Sequence, residues 1–277
     1  MNYQEMITHT FFGGHDITII PVCDVHFGAE ECMEAEFRKF INSVANTENV
    51  YLVLGGDLID NGTRNSVTDV YRATMPPHIQ KKEMANILAE VRDRILCFVP
   101  GNHERRSSSG KGGVDDDPVY DIAAKLDLEH LYRDSIAFMA IEMGLPLTVN
   151  GMKNANCKRP IYTVAVTHGA GGGMLTGGSV NRTERFGQII ANFDVLITGH
   201  THKPYVTYIN KLVPQLRERT VKQEQAVNIS GTSWLQYGGY AAQKMLTPAA
   251  HTLQKVILFG DSKHVEVRTS DLIGSRL

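Results

Sequence analysis

Cysteine is scarce in this chain of 277 residues. The four present, Cys23, Cys32, Cys97 and Cys157, lie far apart and form no Cys-x-x-Cys pair. That spacing excludes a disulfide framework and a thiolate zinc cage. No apolar run approaches the roughly 20 residues that a spanning helix needs, so membrane insertion is not expected. Met1 to Thr10 is polar and lacks the basic-then-apolar pattern of a secretory leader, so the expected setting is reducing and cytoplasmic. Charge of one sign is missing too: 28 Lys and Arg stand against 30 Asp and Glu, a net charge of −2. Global attraction to a polyanion is therefore not indicated, although a local basic rim escapes this test. Internal repeats and long low-complexity tracts are absent, which excludes a solenoid or a disordered scaffold. The glycine-rich stretch Gly169 to Gly178 lacks the Gly-Lys-Ser/Thr ending of a P-loop.

What the chain does have is a series of short β-branched runs, each ending in a polar cluster. Ile17 to Val22 leads into Cys23-Asp24, Val50 to Leu54 into Gly55-Gly56-Asp57, and Ile95 to Val99 into Pro100-Gly101-Asn102-His103. Ile161 to Val166 precedes Thr167-His168-Gly169, and Val195 to Ile197 precedes Thr198-Gly199-His200-Thr201-His202. These read as buried strands running into loops. Helical patterns fall between them, at about Glu30 to Ala45, Ile79 to Arg92, Asp117 to Lys125 and Arg182 to Asn192. Ser135 to Val149, Val221 to Ser230 and Val256 to Thr269 are strand-rich without helices, which implies a second sheet. The expected fold is α/β, a four-layer sandwich of two mixed β-sheets flanked by helices, with residues 1–277 as a single domain. Ser107 to Pro118 and Gly169 to Gly178 read either as surface connections or as a rim that shapes access to the strand ends.

The five strand ends supply Asp24, His26, Asp57, Asn102, His103, His168, His200 and His202. Imidazole, carboxylate and amide oxygen without thiolate suit manganese, iron, zinc or nickel. Eight such groups exceed the needs of one ion. Two ions about 3.5 to 4 Å apart, sharing a carboxylate and a bridging hydroxide, would account for them, an arrangement suited to in-line attack on phosphorus. In an extended segment side chains alternate, so Asp24 and His26, and likewise His200 and His202, are expected to share a face.

The ordered set Asp24-Val25-His26, Gly56-Asp57, Gly101-Asn102-His103-Glu104, His168-Gly169 and Gly199-His200-Thr201-His202 resembles the calcineurin-like metallophosphoesterase superfamily, including members carried by bacteria and their viruses. The resemblance implies that Asp24, His26 and His202 bind one divalent ion, that Asn102, His168 and His200 bind the other, and that Asp57 bridges both. It implies that His103 is a non-ligand histidine acting on the leaving oxygen. Asp60 matches the aspartate that orients this histidine in the superfamily's phosphoprotein phosphatases; an ordinary turn aspartate is the alternative. Those enzymes follow that aspartate with an arginine, whereas here Asn61 stands in its place. Arg105 and Arg106 are candidates to supply the missing charge to the substrate, with Arg182, Arg185 and Lys203 nearby.

The expected activity is a dinuclear phosphoester hydrolase, a phosphodiesterase or nuclease, with two divalent ions, Mn2+ first among them, as cofactor. The alternative is a phosphomonoesterase, either nucleotidase or phosphoprotein phosphatase. Nucleic acid and nucleotide are both open as substrate. A non-catalytic scaffold is the rival from another class; a degenerate member should have lost a ligand position, and none is lost here. Trp234, Tyr237 and Tyr240 are expected to pack in the core, with stacking on a base as the alternative.

Overall fold

The computed structural model describes residues 3–63, 66, 72–108, 116–144, 148–149, 152–153, 160–171 and 175–272. Cys157, most of the loop within 107–118 and part of the glycine-rich loop at 172–174 lie outside the described residues.

Among the described residues the chain forms strands β1 (Ile7–Phe12), β2 (Ile17–Val22), β3 (Val50–Leu54), β4 (Ile95–Phe98), β5 (Ile136–Gly144), β6 (Thr148–Val149), β7 (Met152–Lys153), β8 (Ile161–Thr167), β9 (Val195–Thr198) and β10 (Tyr205–Gln215). Three more follow, β11 (Thr220–Ser230), β12 (Thr252–Leu258) and β13 (Val265–Asp271). The helices are α1 (Glu34–Ala45), α2 (Pro77–Ala89), α3 (Arg105–Ser108), α4 (Pro118–Lys125), α5 (Thr176–Gly187) and α6 (Gly239–Gln243).

A six-stranded sheet runs β1-β5-β8-β9-β11-β10, and a five-stranded sheet runs β13-β12-β2-β3-β4. Both are mixed. In the first, β8, β9 and β11 are parallel neighbours; in the second, β2, β3 and β4 are. One core joins them: Ile19, Leu52 and Leu54 meet Met139, Val164, Val166 and Ile229. Strand alternation sends Ala165 and Leu196 to the opposite face, where they pack with Phe193 and with Phe186 of α5. Helices α1, α2 and α4 pack together on the other flank. Phe37, Phe40, Ile41 and Val44, at helical spacing, give α1 its buried stripe. Asp117 caps α4 by accepting from the backbone N–H of Val119 and Tyr120, and Pro118 fills the first turn, where no N–H is needed.

Two mixed sheets are observed as expected, but the segments expected to build a separate second sheet divide between them, β5 and β11 joining β8 and β9 while β12 and β13 join β2, β3 and β4. The helix expected at Arg182 to Asn192 instead spans Thr176–Gly187, starting inside the glycine-rich stretch. Strands β1 and β10 escape the pattern reading because both lie at sheet edges, where little of each strand is buried. Among the described residues, no helix is long and apolar enough to cross a membrane.

Candidate metal centre

The loops after β2, β3, β4, β8, β9 and β11 meet at one edge of the sandwich, and hydrogen bonds between them tie the two sheets together. His168 Nδ1 donates to Gly55 O (2.8 Å), and the His200 backbone N–H donates to the Asp24 carboxylate (2.9 Å). Cys23 is buried at the centre of this seam. A Cβ on Gly55, Gly199 or Gly231 would lie within 2.9 Å of its side chain, so these loops close only because all three are glycine.

Asp24, His26, Asp57, His200 and His202 have φ of +53°, +48°, +52°, +69° and +54°. The expectation that Asp24 and His26 share a face through extended backbone is therefore corrected, as it is for His200 and His202. Each residue turns in the left-handed region, at a cost of roughly 1–2 kcal/mol apiece, and the turn rather than strand alternation aims the side chain.

Around one point, His26 Nε2 lies 3.2 Å from His202 Nε2, 3.9 Å from Asp24 Oδ1 and 3.7 Å from Asp57 Oδ2; His202 Nε2 is 3.4 Å from Asp24 Oδ1. Around a second, His168 Nε2 lies 3.3 Å from the same Asp57 Oδ2 and 3.0 Å from Asn102 Oδ1, which is 2.6 Å from His200 Nδ1. Ligand atoms bonded at about 2.0–2.2 Å to one ion stand roughly 3.0–3.6 Å apart; four of these separations fall in that range, while the Asp24 and Asp57 distances to His26 are longer and the Asn102–His200 distance is shorter. Asp57 Oδ2 sits in the second group and stands 3.7 Å from His26 Nε2 of the first.

The electrostatics agree. Burial and the neighbouring His103 hold the His26 imidazole well below its usual range, and burial with His168 lowers that of His200, so both present neutral lone pairs. Burial opposes protonation of His168, but the Asp57 carboxylate outweighs it and raises the imidazole to about 10. Burial would likewise raise Asp57, yet His168 keeps it well below its usual range, ionised. A field that draws a proton to His168 Nε2 draws a cation equally. The donor set and its charge suit a divalent metal centre.

His103 sits beside this cluster. Its Nδ1 faces Asp60, 2.8 Å from the carbonyl oxygen and 3.3 Å from Oδ1, and its Nε2 accepts from Arg106 (2.8 Å). Asp60 thus fixes the ring, and Arg106 lines the cavity. Arg105 points elsewhere and donates to the Asp134 carbonyl. Asn61 turns inward, its amide donating to the carbonyls of His103 and Glu104 and to Ser107 Oγ, so it braces the start of α3 instead of facing the cavity. Lys203 lines the cavity, and the Arg182 guanidinium packs on Gly171, which also lines it.

Two contributions escape a reading of the sequence. Glu104 is buried, and its carboxylate accepts the backbone N–H groups of Asp57 (3.0 Å), Ile59 (3.1 Å) and Gly101 (2.8 Å). It thereby locks the loop after β3 to the loop after β4. The only local signal was an acid following Asn-His, which is uninformative without the fold. Glu104→Gln turns an amide donor toward one of these N–H groups. It is expected to destabilise the protein by about 1–3 kcal/mol, read as a lower urea midpoint at unchanged slope; an unshifted midpoint would deny Glu104 this role. The second is the segment from Ser233 to Ala249, which helps enclose a cavity of about 590 Å³ together with His26, Asp57, Asn102 and His202. Of its aromatics, Trp234 is fully buried against Phe37 and Phe40 as expected, whereas Tyr237 is half exposed at the cavity.

The crystal structure of Chaetomium thermophilum Vps29 is similar over 92% of this chain and 95% of that chain, at 8% identity and a TM-score of 0.36. No curated protein matches the chain. Residues 17–204, about two-thirds of the length and every strand-end cluster from Asp24 to His202, match the family model for calcineurin-like phosphoesterases. The chain belongs to the calcineurin-like phosphoesterase family.

Proposed function

We propose that this protein is a phosphodiesterase working with two divalent ions, Mn2+ foremost. The observation that carries the reading is the position of Asp57 Oδ2 between two groups of donor atoms, 3.7 Å from His26 Nε2 and 3.3 Å from His168 Nε2. Asp24, His26 and His202 would hold one ion and Asn102, His168 and His200 the other, with Asp57 serving both. When bound, such a pair lowers the pKa of coordinated water and neutralises phosphate oxygens. The chain's own residues do the rest. His103, its ring fixed by Asp60, would bring a proton on Nε2 to the leaving oxygen once Arg106, which donates to that nitrogen's lone pair in the free protein, turns to the phosphate. Arg106, 2.8 Å from that Nε2, offers a guanidinium to a non-bridging phosphate oxygen. Glu104 holds the Asp57 and Asn102 loops at their mutual distance.

A diester is favoured over a monoester because Asn61, in the position of the phosphatases' arginine, is spent on bracing α3, leaving Arg106 as the guanidinium beside His103. A dianionic monoester asks for more positive charge than a monoanionic diester. Among the described residues Cys23, Cys32 and Cys97 carry free thiols, and a reducing, cytoplasmic setting is part of this proposal.

With Mn2+ supplied, the protein is expected to hydrolyse bis-p-nitrophenyl phosphate with a kcat/KM at least about tenfold above that for p-nitrophenyl phosphate, and to lose both activities with chelator. A monoester preference would replace this reading with a phosphatase, and inactivity on both would favour a scaffold.

A further inference from the structure

We propose that Leu235, Tyr237 and Leu246 form a subsite for a flat, aromatic substituent of the phosphoester. This deepens the phosphodiesterase reading and rests on it for the reaction, though not for binding. The three side chains, with Ala29, Ala241 and Ala249, line the same cavity as the metal-ligand atoms of His26, Asp57 and His202. A phosphorus fixed at those atoms must place its organic group in the remaining space, and that space is bounded by apolar and aromatic surface. A methyl group leaves such a surface wet; an aromatic ring covers it and stacks on Tyr237.

The segment is anchored well enough to act as a template. Trp234 N–H donates to Asp24 O (3.0 Å), Met33 N–H to Trp234 O (2.8 Å) and Gln236 N–H to Glu31 O (2.9 Å), while Cys32 pairs with Leu235. Trp234 is buried beneath it, with ring centroids 5.0 Å from both Phe37 and Phe40. Tyr237 is nonetheless 51% exposed, a large ring held at the cavity rather than in the core. The carboxylate of Glu31 also lines the cavity and packs on Gly239, offering an acceptor to a polar group on the ring.

The test uses non-hydrolysable probes on the full, Mn2+-loaded chain. Titration calorimetry should show phenylphosphonate binding at least about tenfold more tightly than methylphosphonate. Tyr237→Ala should remove about five- to tenfold of that preference and leave methylphosphonate affinity unchanged, with Leu246→Ala acting in the same direction. Equal or undetectable binding of phenylphosphonate, or a preference that survives both substitutions, overturns the subsite. Turnover of bis-p-nitrophenyl phosphate measured in parallel separates the two ideas. Phenyl preference without turnover sinks the catalytic reading alone, and turnover without phenyl preference sinks the subsite alone.

Discussion

Asp57→Asn is expected to strip the protein of its bound ions, with affinity falling by about 10² or more at both positions. Removing one unit charge about 4 Å from a cation, at an effective dielectric near 20, is worth about 4 kcal/mol per unit of cation charge, and each 1.4 kcal/mol is a decade. Geometry makes the loss worse than simple neutralisation. Asp57 Oδ1 accepts the His103 backbone N–H at 2.8 Å, so an asparagine keeps its amide oxygen there and turns its NH2 toward His26 and His168. Two donors would then face the cations where a lone pair stood. Metal analysis of protein purified in Mn2+ decides the matter: two ions per chain in the variant would refute a shared carboxylate.

His103→Ala is expected to separate turnover from metal binding, lowering kcat by about 10² or more while metal content stays at the wild-type level. The separation follows from which atoms of His103 touch the cluster. Its backbone N–H holds Asp57 and survives the substitution, whereas its ring, fixed by Asp60 through Nδ1, reaches the cavity through Nε2 and touches the cluster edge-on at His26, whose Nε2 faces away toward His202. The loss should be greatest for esters with poor leaving groups and shrink for p-nitrophenyl esters, whose phenolate leaves without a proton. Full activity on an alkyl diester would remove His103 from the reaction. A variant that lost its metal as well would assign the ring a structural task.

These expectations draw on a site that the sequence exposed to unequal depths. Residue type was enough to single out Asp24, Asp57, Asn102 and the histidines as candidate donors, because few chemistries call for imidazole, carboxylate and amide at five strand ends. Direction was not available. Arg105 and Arg106 are neighbours in sequence, yet one donates to the Asp134 carbonyl and the other to His103, since adjacent helical positions point about 100° apart. Glu104 and Asn61 looked ordinary because their partners are backbone groups contributed by other loops.

The sequence by itself determined the buried strands, their polar ends and the donor chemistry, all of which are local: β-branched runs favour strands, and a side chain carries its ligand atom wherever it goes. The tertiary structure decided which donors meet, the left-handed turns that aim them, and the wall supplied by residues after His202. His26 and His202 stand 3.2 Å apart across 176 positions of chain. Such a distance is fixed only when two sheets pack in one register, with the closeness of Cys23 to three glycines setting how near their loops can come.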